Sequence, residues 1–75
     1  MKNIKLIRVV KDYTQIKVQM DTGISQSTLS KYECGELIPT TENLLILAKY
    51  YNTSLDYLMD LTDEVKPYPQ KKNER

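Results

Sequence analysis

Apolar positions at the start of the chain recur in a helical rhythm, not an alternating one. Between residues 3 and 11, Ile4, Leu6, Ile7, Val9 and Val10 are interleaved with Lys5, Arg8 and Lys11, and no Gly or Pro interrupts them. At about 100° per residue these apolar side chains share one broad arc, with Lys5 and Arg8 on the other side. The pattern predicts a first helix. Its β-branched residues are mediocre helix formers, so packing has to hold it.

Cap residues then divide the middle of the chain. Thr14 suits a helix N-cap and Gly23 a left-handed end, which leaves residues 15–22 for a second helix. Ser25 caps a third helix over 26–33, closed by Gly35. Two short helices joined by Gly23, Ile24 and Ser25, with Ile24 the one apolar residue of the turn, have the layout of a helix-turn-helix. Pro39 breaks the chain, and Thr40 caps a fourth helix over 41–51 whose Leu44, Leu47, Ala48 and Tyr51 form a core stripe. Asn52 suits a left-handed terminator, and Ser54 caps a last helix with Leu55, Leu58, Met59 and Leu61 facing inward. The expectation is an all-α, compact five-helix bundle over residues 1–64. Residues 65–75, polar and basic with Pro67 and Pro69, read as a tail without fixed structure.

The 75-residue length allows one small domain. No run of about 20 apolar residues exists to span a membrane, and the N-terminus lacks the apolar stretch of a signal peptide. Cys34 is the only cysteine and there is no histidine, so an internal disulfide and a Cys/His zinc site are excluded. The same shortage leaves no catalytic constellation, and no cofactor is expected. The expected setting is the cytoplasm.

Net charge is only +1, which hides an uneven distribution: +4 over residues 1–31, −6 over 32–65 and +3 over 66–75. The asymmetry places a basic face near the start of the chain.

From residue 4 to residue 58 the chain resembles the Cro and lambda-repressor-like (XRE-type) helix-turn-helix family. The matching residues are Ile7-Arg8, Thr14-Gln15, Val18, Gly23-Ile24-Ser25, Leu29-Ser30 and Glu33-Cys34-Gly35, with Pro39 four residues later. Ala48 and Ser54-Leu55-Asp56-Tyr57-Leu58 carry the match to the last helix. The resemblance implies a transcriptional regulator, most simply a repressor, that inserts its third helix into the major groove of double-stranded DNA.

The face of that helix agrees with such a role. With Leu29 at the centre of its buried side, Ser27 and Lys31 fall near the opposite pole, flanked by Gln26, Thr28 and Ser30. Gln pairs bidentately with adenine, Lys reaches guanine acceptors, and Ser or Thr serves either. Gln26, Ser27, Thr28 and Lys31 are therefore the expected base-reading residues. The resemblance implies a phosphate contact for Gln15. Thr14 and Ser25 are caps whose neighbouring N–H groups are further phosphate candidates. It also implies that Arg8 reaches Glu33 and clamps the end of the third helix. With Lys31 the one cation on so short a reading face, two copies on a pseudo-palindrome are expected. Leu55, Tyr57, Leu58 and Leu61 are the candidate dimer contacts.

Several positions depart from the family pattern. Gln19 stands where a small residue is usual and Thr22 where an apolar one is frequent, while Ile16 and Met20 occupy positions that are commonly charged. Val9, Val10 and Ile46 are further apolar residues at positions often polar in the family. Either the second helix is rotated so that Ile16 joins the core, or an apolar patch on the first and second helices, with Ile16 and Met20, binds a protein partner. Glu36, in the turn after the third helix, is unfavourable near a phosphate. These features keep a second class open: an antitoxin or anti-repressor on the same fold. Cys34 has no neighbour to activate it, and Glu33 and Glu36 disfavour a thiolate. Tyr32, Tyr51 and Tyr57 read as packing residues.

Overall fold

The computed structural model describes residues 1–67, which form five helices: α1 (Lys2–Val10), α2 (Gln15–Thr22), α3 (Gln26–Cys34), α4 (Thr41–Tyr51) and α5 (Leu55–Leu58). Four of the five starts are local. Thr14, Ser25, Thr40 and Ser54 are extended, and each side-chain oxygen accepts the N–H three residues on. Gly23 and Gly35 end α2 and α3 at φ of 84° and 83°, a region costly for residues with a Cβ. Asn52 ends α4 in the same left-handed region.

The start of α1 is made differently. Met1 supplies no side-chain cap. Asp60, itself left-handed at φ 66°, accepts the Lys2 N–H on Oδ2 at 3.1 Å and the Asn3 N–H on Oδ1 at 2.9 Å. Asn3 is fully buried, and its Nδ2 donates to the Tyr57 carbonyl at 2.8 Å and the Thr62 carbonyl at 3.1 Å. The beginning of α1 is thus completed by the segment after α5.

The core is one cluster to which every helix contributes. Ile4 and Ile7 of α1, Val18 of α2, Leu29 and Tyr32 of α3 and Ile24 of the turn are buried. From the other side come Leu44, Leu47 and Tyr51 of α4 with Tyr57 and Leu58 of α5. α3 lies against both α1 and α2, and α5 against α4 and α1. Among the described residues every buried side-chain nitrogen or oxygen has a hydrogen-bond partner.

On α1, Leu6, Val9 and Val10 are about half exposed or more, because neighbours cover only the stripe of Asn3, Ile4 and Ile7. Two expectations about burial are corrected. Met59 and Leu61 face outward, because α5 is a single turn and the chain reverses at Asp60. Ile16 does not join the core. Val18 is the one buried residue of α2, and a step of two residues is about 200°, so Ile16 and Met20 lie on the far side, 47% and 77% exposed.

Of the expected tail, residues 65–67 are described. The Thr53 hydroxyl donates to the Val65 carbonyl, and Pro67 lines one open cleft together with Leu45 and Ala48 of α4. The rest of that segment lies outside the described residues.

Candidate functional site

α3 presents Gln26, Ser27, Ser30 and Lys31 to solvent, while Leu29 and Tyr32 anchor its other side at 1% and 2% exposure. Thr28, expected beside them, is only partly exposed. It is tied to Ser25, whose hydroxyl caps the Thr28 N–H and donates to Thr28 Oγ1 at 2.9 Å. The sequence-predicted reading residues therefore share one helix face, with Thr28 at its margin.

Arg8 and Glu33 are brought together behind this face. Arg8 Nε donates to Glu33 Oε2 at 2.7 Å and Nη2 to Oε1 at 3.0 Å, a two-point pairing of guanidinium and carboxylate. A third Arg8 bond, from Nη1 to the Tyr13 carbonyl at 2.7 Å, ties in the α1–α2 turn. Both side chains are largely covered, 13% exposed for Arg8 and 5% for Glu33. The Glu33 hydrogen bond holds the Arg8 guanidinium above its already high pKa, against the opposing effect of burial.

The same carboxylate reaches α2. Gln15 Nε2 donates to Glu33 Oε1 at 3.0 Å, and Gln15 Oε1 accepts from Gln26 Nε2 at 3.3 Å. A chain of side chains therefore runs Arg8, Glu33, Gln15, Gln26, from the interior edge to the exposed face. It orients Gln15 and Gln26 before any ligand arrives.

Sequence reasoning missed the role of Gln19, although its unusual size at that position was the signal. Gln19 Oε1 accepts the Gln26 N–H at 2.6 Å, so α2 caps α3 across the turn. With Ser25 on the Thr28 N–H, two of the first three N–H groups of α3 are met from within. Thr14 likewise takes the Lys17 N–H. Thr22 answers for its polarity in a similar way: its hydroxyl donates to the Val18 carbonyl at 2.7 Å and accepts the Ile24 N–H at 3.1 Å.

A second group of contacts joins α2 to α4. Tyr13, Tyr50 and Tyr51 pack ring against ring, with centroids 5.1–6.5 Å apart. Lys17 lies 5.0 Å from the Tyr13 ring and pairs with Asp21 at 3.1 Å, and the Tyr50 hydroxyl donates to Asp21. The basic stretch of residues 1–31 is accordingly less free than its charge suggested. Arg8 and Lys17 are paired internally, and Lys2, Lys5, Lys11 and Lys31 stand outside the two ion pairs found among the described residues.

Burial, followed by the nearby Glu33 charge, pushes the Tyr51 phenol above its ordinary 10.0. The folded protein holds this proton more tightly than the unfolded chain does. Stability from this group is complete below pH 10 and declines as alkali removes the proton. Thermal melts from pH 8 upward should show that decline, and Tyr51→Phe should flatten it.

Tyr57 and Leu58, expected as dimer contacts, are buried inside the protomer at 2% and 0% exposure, as members of the core. Leu61 stays exposed. Cys34 is exposed at the end of α3, with Sγ 3.7 Å from the Lys31 carbonyl. Glu36 is exposed in the following turn. Among the described residues no cluster of metal-ligating side chains occurs, and no helix is long and apolar enough to cross a membrane.

Comparison with known proteins adds three relatives and one family. Residues 4–58 match the family model described as helix-turn-helix. The HTH-type transcriptional regulator ImmR of Bacillus subtilis is 40% identical over 97% of this chain and 54% of its own length. The antitoxin PezA of Streptococcus pneumoniae is 40% identical over 71% of this chain and 34% of its own. The cryptic phage CTXphi transcriptional repressor RstR of Vibrio cholerae is 42% identical over 60% of this chain and 40% of its own. The chain thus spans from about a third to just over half of these relatives. No solved structure matches the chain.

Proposed function

The chain belongs to the XRE-type helix-turn-helix family, and on that premise we propose that it is a transcriptional regulator binding double-stranded DNA sequence-specifically. In this reading it is a cytoplasmic repressor acting as a homodimer on a pseudo-palindromic operator, its occupancy blocking polymerase. α3 enters the major groove, where Gln26, Ser27, Thr28 and Lys31 meet base edges, while Thr14, Gln15 and Ser25 lie along the phosphate backbone. The observation that carries the reading is the polar outward face of α3, locked from behind by Arg8, Glu33 and Gln15. A reading helix held in one orientation loses little freedom on binding. The relatives named as regulators and a repressor support the same conclusion. Two copies fit the small number of unpaired cations, since Lys31 is the one lysine on the reading face.

The test is a shift assay with duplexes enriched from a random-sequence pool, titrated with salt. Binding should weaken steeply as salt rises. Gln26→Ala and Lys31→Ala should each relax base preference by roughly 1–3 kcal/mol, and Gln15→Ala should weaken all sequences alike. Absence of binding to any enriched duplex at low salt would overturn the reading.

That outcome would favour a protein-interaction module on the same fold, an antitoxin or anti-repressor. Its supporting observation is the outward placement of Ile16 and Met20 on α2, a surface for a protein partner. The relative named as an antitoxin is consistent with it.

A further inference from the structure

We infer that Gln19 determines specificity as a positioning residue: it fixes the backbone from which Gln26 enters the reading face, and so the base preference that Gln26 exerts. The inference rests on the DNA reading above and adds to it a residue outside α3.

Gln19 acts on both sides of the turn. Its backbone carbonyl accepts the Gly23 N–H at 2.8 Å and so helps to end α2. Its side-chain Oε1 accepts the Gln26 N–H at 2.6 Å and so helps to start α3. One residue therefore sets both where α2 stops and where α3 begins. The Gln26 N–H is among the donors that a helix start leaves without a partner inside the helix. An alanine at position 19 would end at Cβ and could not reach it.

The two holds on Gln26 are unequal. Gln15 Oε1 accepts from the Gln26 side chain at 3.3 Å, outside the usual range for such a bond. The bond from Gln19 is the short one, and it acts on the main chain. A glutamine side chain is long and flexible, so a tether at its tip alone leaves its root free to drift. Base contacts have to be held within about 0.5 Å of their productive geometry. Residues at the start of a reading helix are the ones that meet base edges, and Gln26 is the first residue of α3. Gln19 itself is half-buried and lies outside the core cluster, so its side chain can be changed without emptying the interior.

The experiment measures affinity for one enriched duplex, and for the same duplex changed at each base pair, in the wild type and in Gln19→Ala, Gln19→Met and Gln19→Glu. Gln26→Ala and Lys31→Ala locate the base pairs that these two residues read. Gln19→Met keeps the length of the side chain and drops the acceptor, whereas Gln19→Glu keeps the acceptor. Gln19→Ala and Gln19→Met should each lower discrimination at the Gln26 base pair by roughly 2–10-fold, the span of one net hydrogen bond. Discrimination at the Lys31 base pair should stay as it was. Gln19→Glu should keep wild-type discrimination at both, its added charge lowering affinity for all duplexes alike. In a Gln26→Ala background, Gln19→Ala should remove no further discrimination. Wild-type discrimination at the Gln26 base pair in Gln19→Met overturns the inference and leaves the DNA reading standing. Equal losses at both base pairs, or a further loss in the Gln26→Ala background, mark a general loosening of α3 and overturn it as well. A wild type that binds no duplex overturns both.

Discussion

Arg8→Ala should cost about 3–5 kcal/mol, the range for removing one partner of a buried ion pair. The exposed-pair regime, worth about 0–1 kcal/mol, does not apply, because both side chains are largely covered. What makes the loss large is the group left behind. Glu33, with a 5% exposed side chain, would keep only the amide of Gln15 as a charge-stabilising partner. The Tyr13 carbonyl would also lose its donor. A domain of 75 residues is stable by about 4–11 kcal/mol in all, so this one change removes a large share. At about 4–8 °C per kcal/mol the melting temperature should fall by tens of degrees. Removing both partners should cost less than the sum of Arg8→Ala and Glu33→Ala, since no charge is then stranded. An unchanged melting temperature in both single variants would contradict the clamp.

Asn3→Leu should cost roughly 1–3 kcal/mol. Its Nδ2 serves two carbonyls, of Tyr57 and Thr62, and the Tyr57 bond is fully buried. The Tyr57 carbonyl keeps the Asp60 N–H at 3.1 Å, so no fully unpaired group is stranded there, and each of the two bonds is worth about 0.5–1.5 kcal/mol. Asn3→Asp separates donor chemistry from volume. It keeps the shape but turns acceptor oxygens toward two carbonyl oxygens, so it should be at least as damaging as leucine. Urea unfolding of the two variants checks this. A loss below about 0.5 kcal/mol for Asn3→Leu would show the pairing to be incidental.

What could be read from the sequence was what is settled locally. Thr14, Ser25, Thr40 and Ser54 cap their own helices, and Gly23, Gly35 and Asn52 end them, because cap geometry spans only a few residues. Leu44, Leu47 and Tyr51 are buried because α4 has neighbours along its whole inward stripe. The pairing of Arg8 with Glu33 was reached only through family resemblance, since no local pattern joins residues 25 apart.

The misreadings share one cause. Periodicity says which side chains lie on one face of a helix, but not how wide a face the neighbours will cover. Met59 and Leu61 continue the inward spacing of Leu55 and Leu58, yet the last helix is a single turn and both face outward. Tyr57 and Leu58 belong to the core, as their packing reading has it, and are thereby closed to the partner contact also considered for them. Gln15 and Gln19 carry a related lesson. Each reads as a polar surface residue, and each is engaged with another helix in the folded protein. Asn3 and Asp60 left no signal at all, because their partners are more than fifty residues away.

That last pair has a consequence for the order in which the molecule assembles. Chains emerge from the ribosome with the N-terminus first, at roughly 5–20 residues per second. The first helix made here is weakened by its β-branched residues and has no side-chain cap at its first turn. The carboxylate that completes it is residue 60, synthesised after every other helix. Translation must therefore pass α5 before α1 can reach its final form. The domain closes as a unit from its two ends rather than growing from the first.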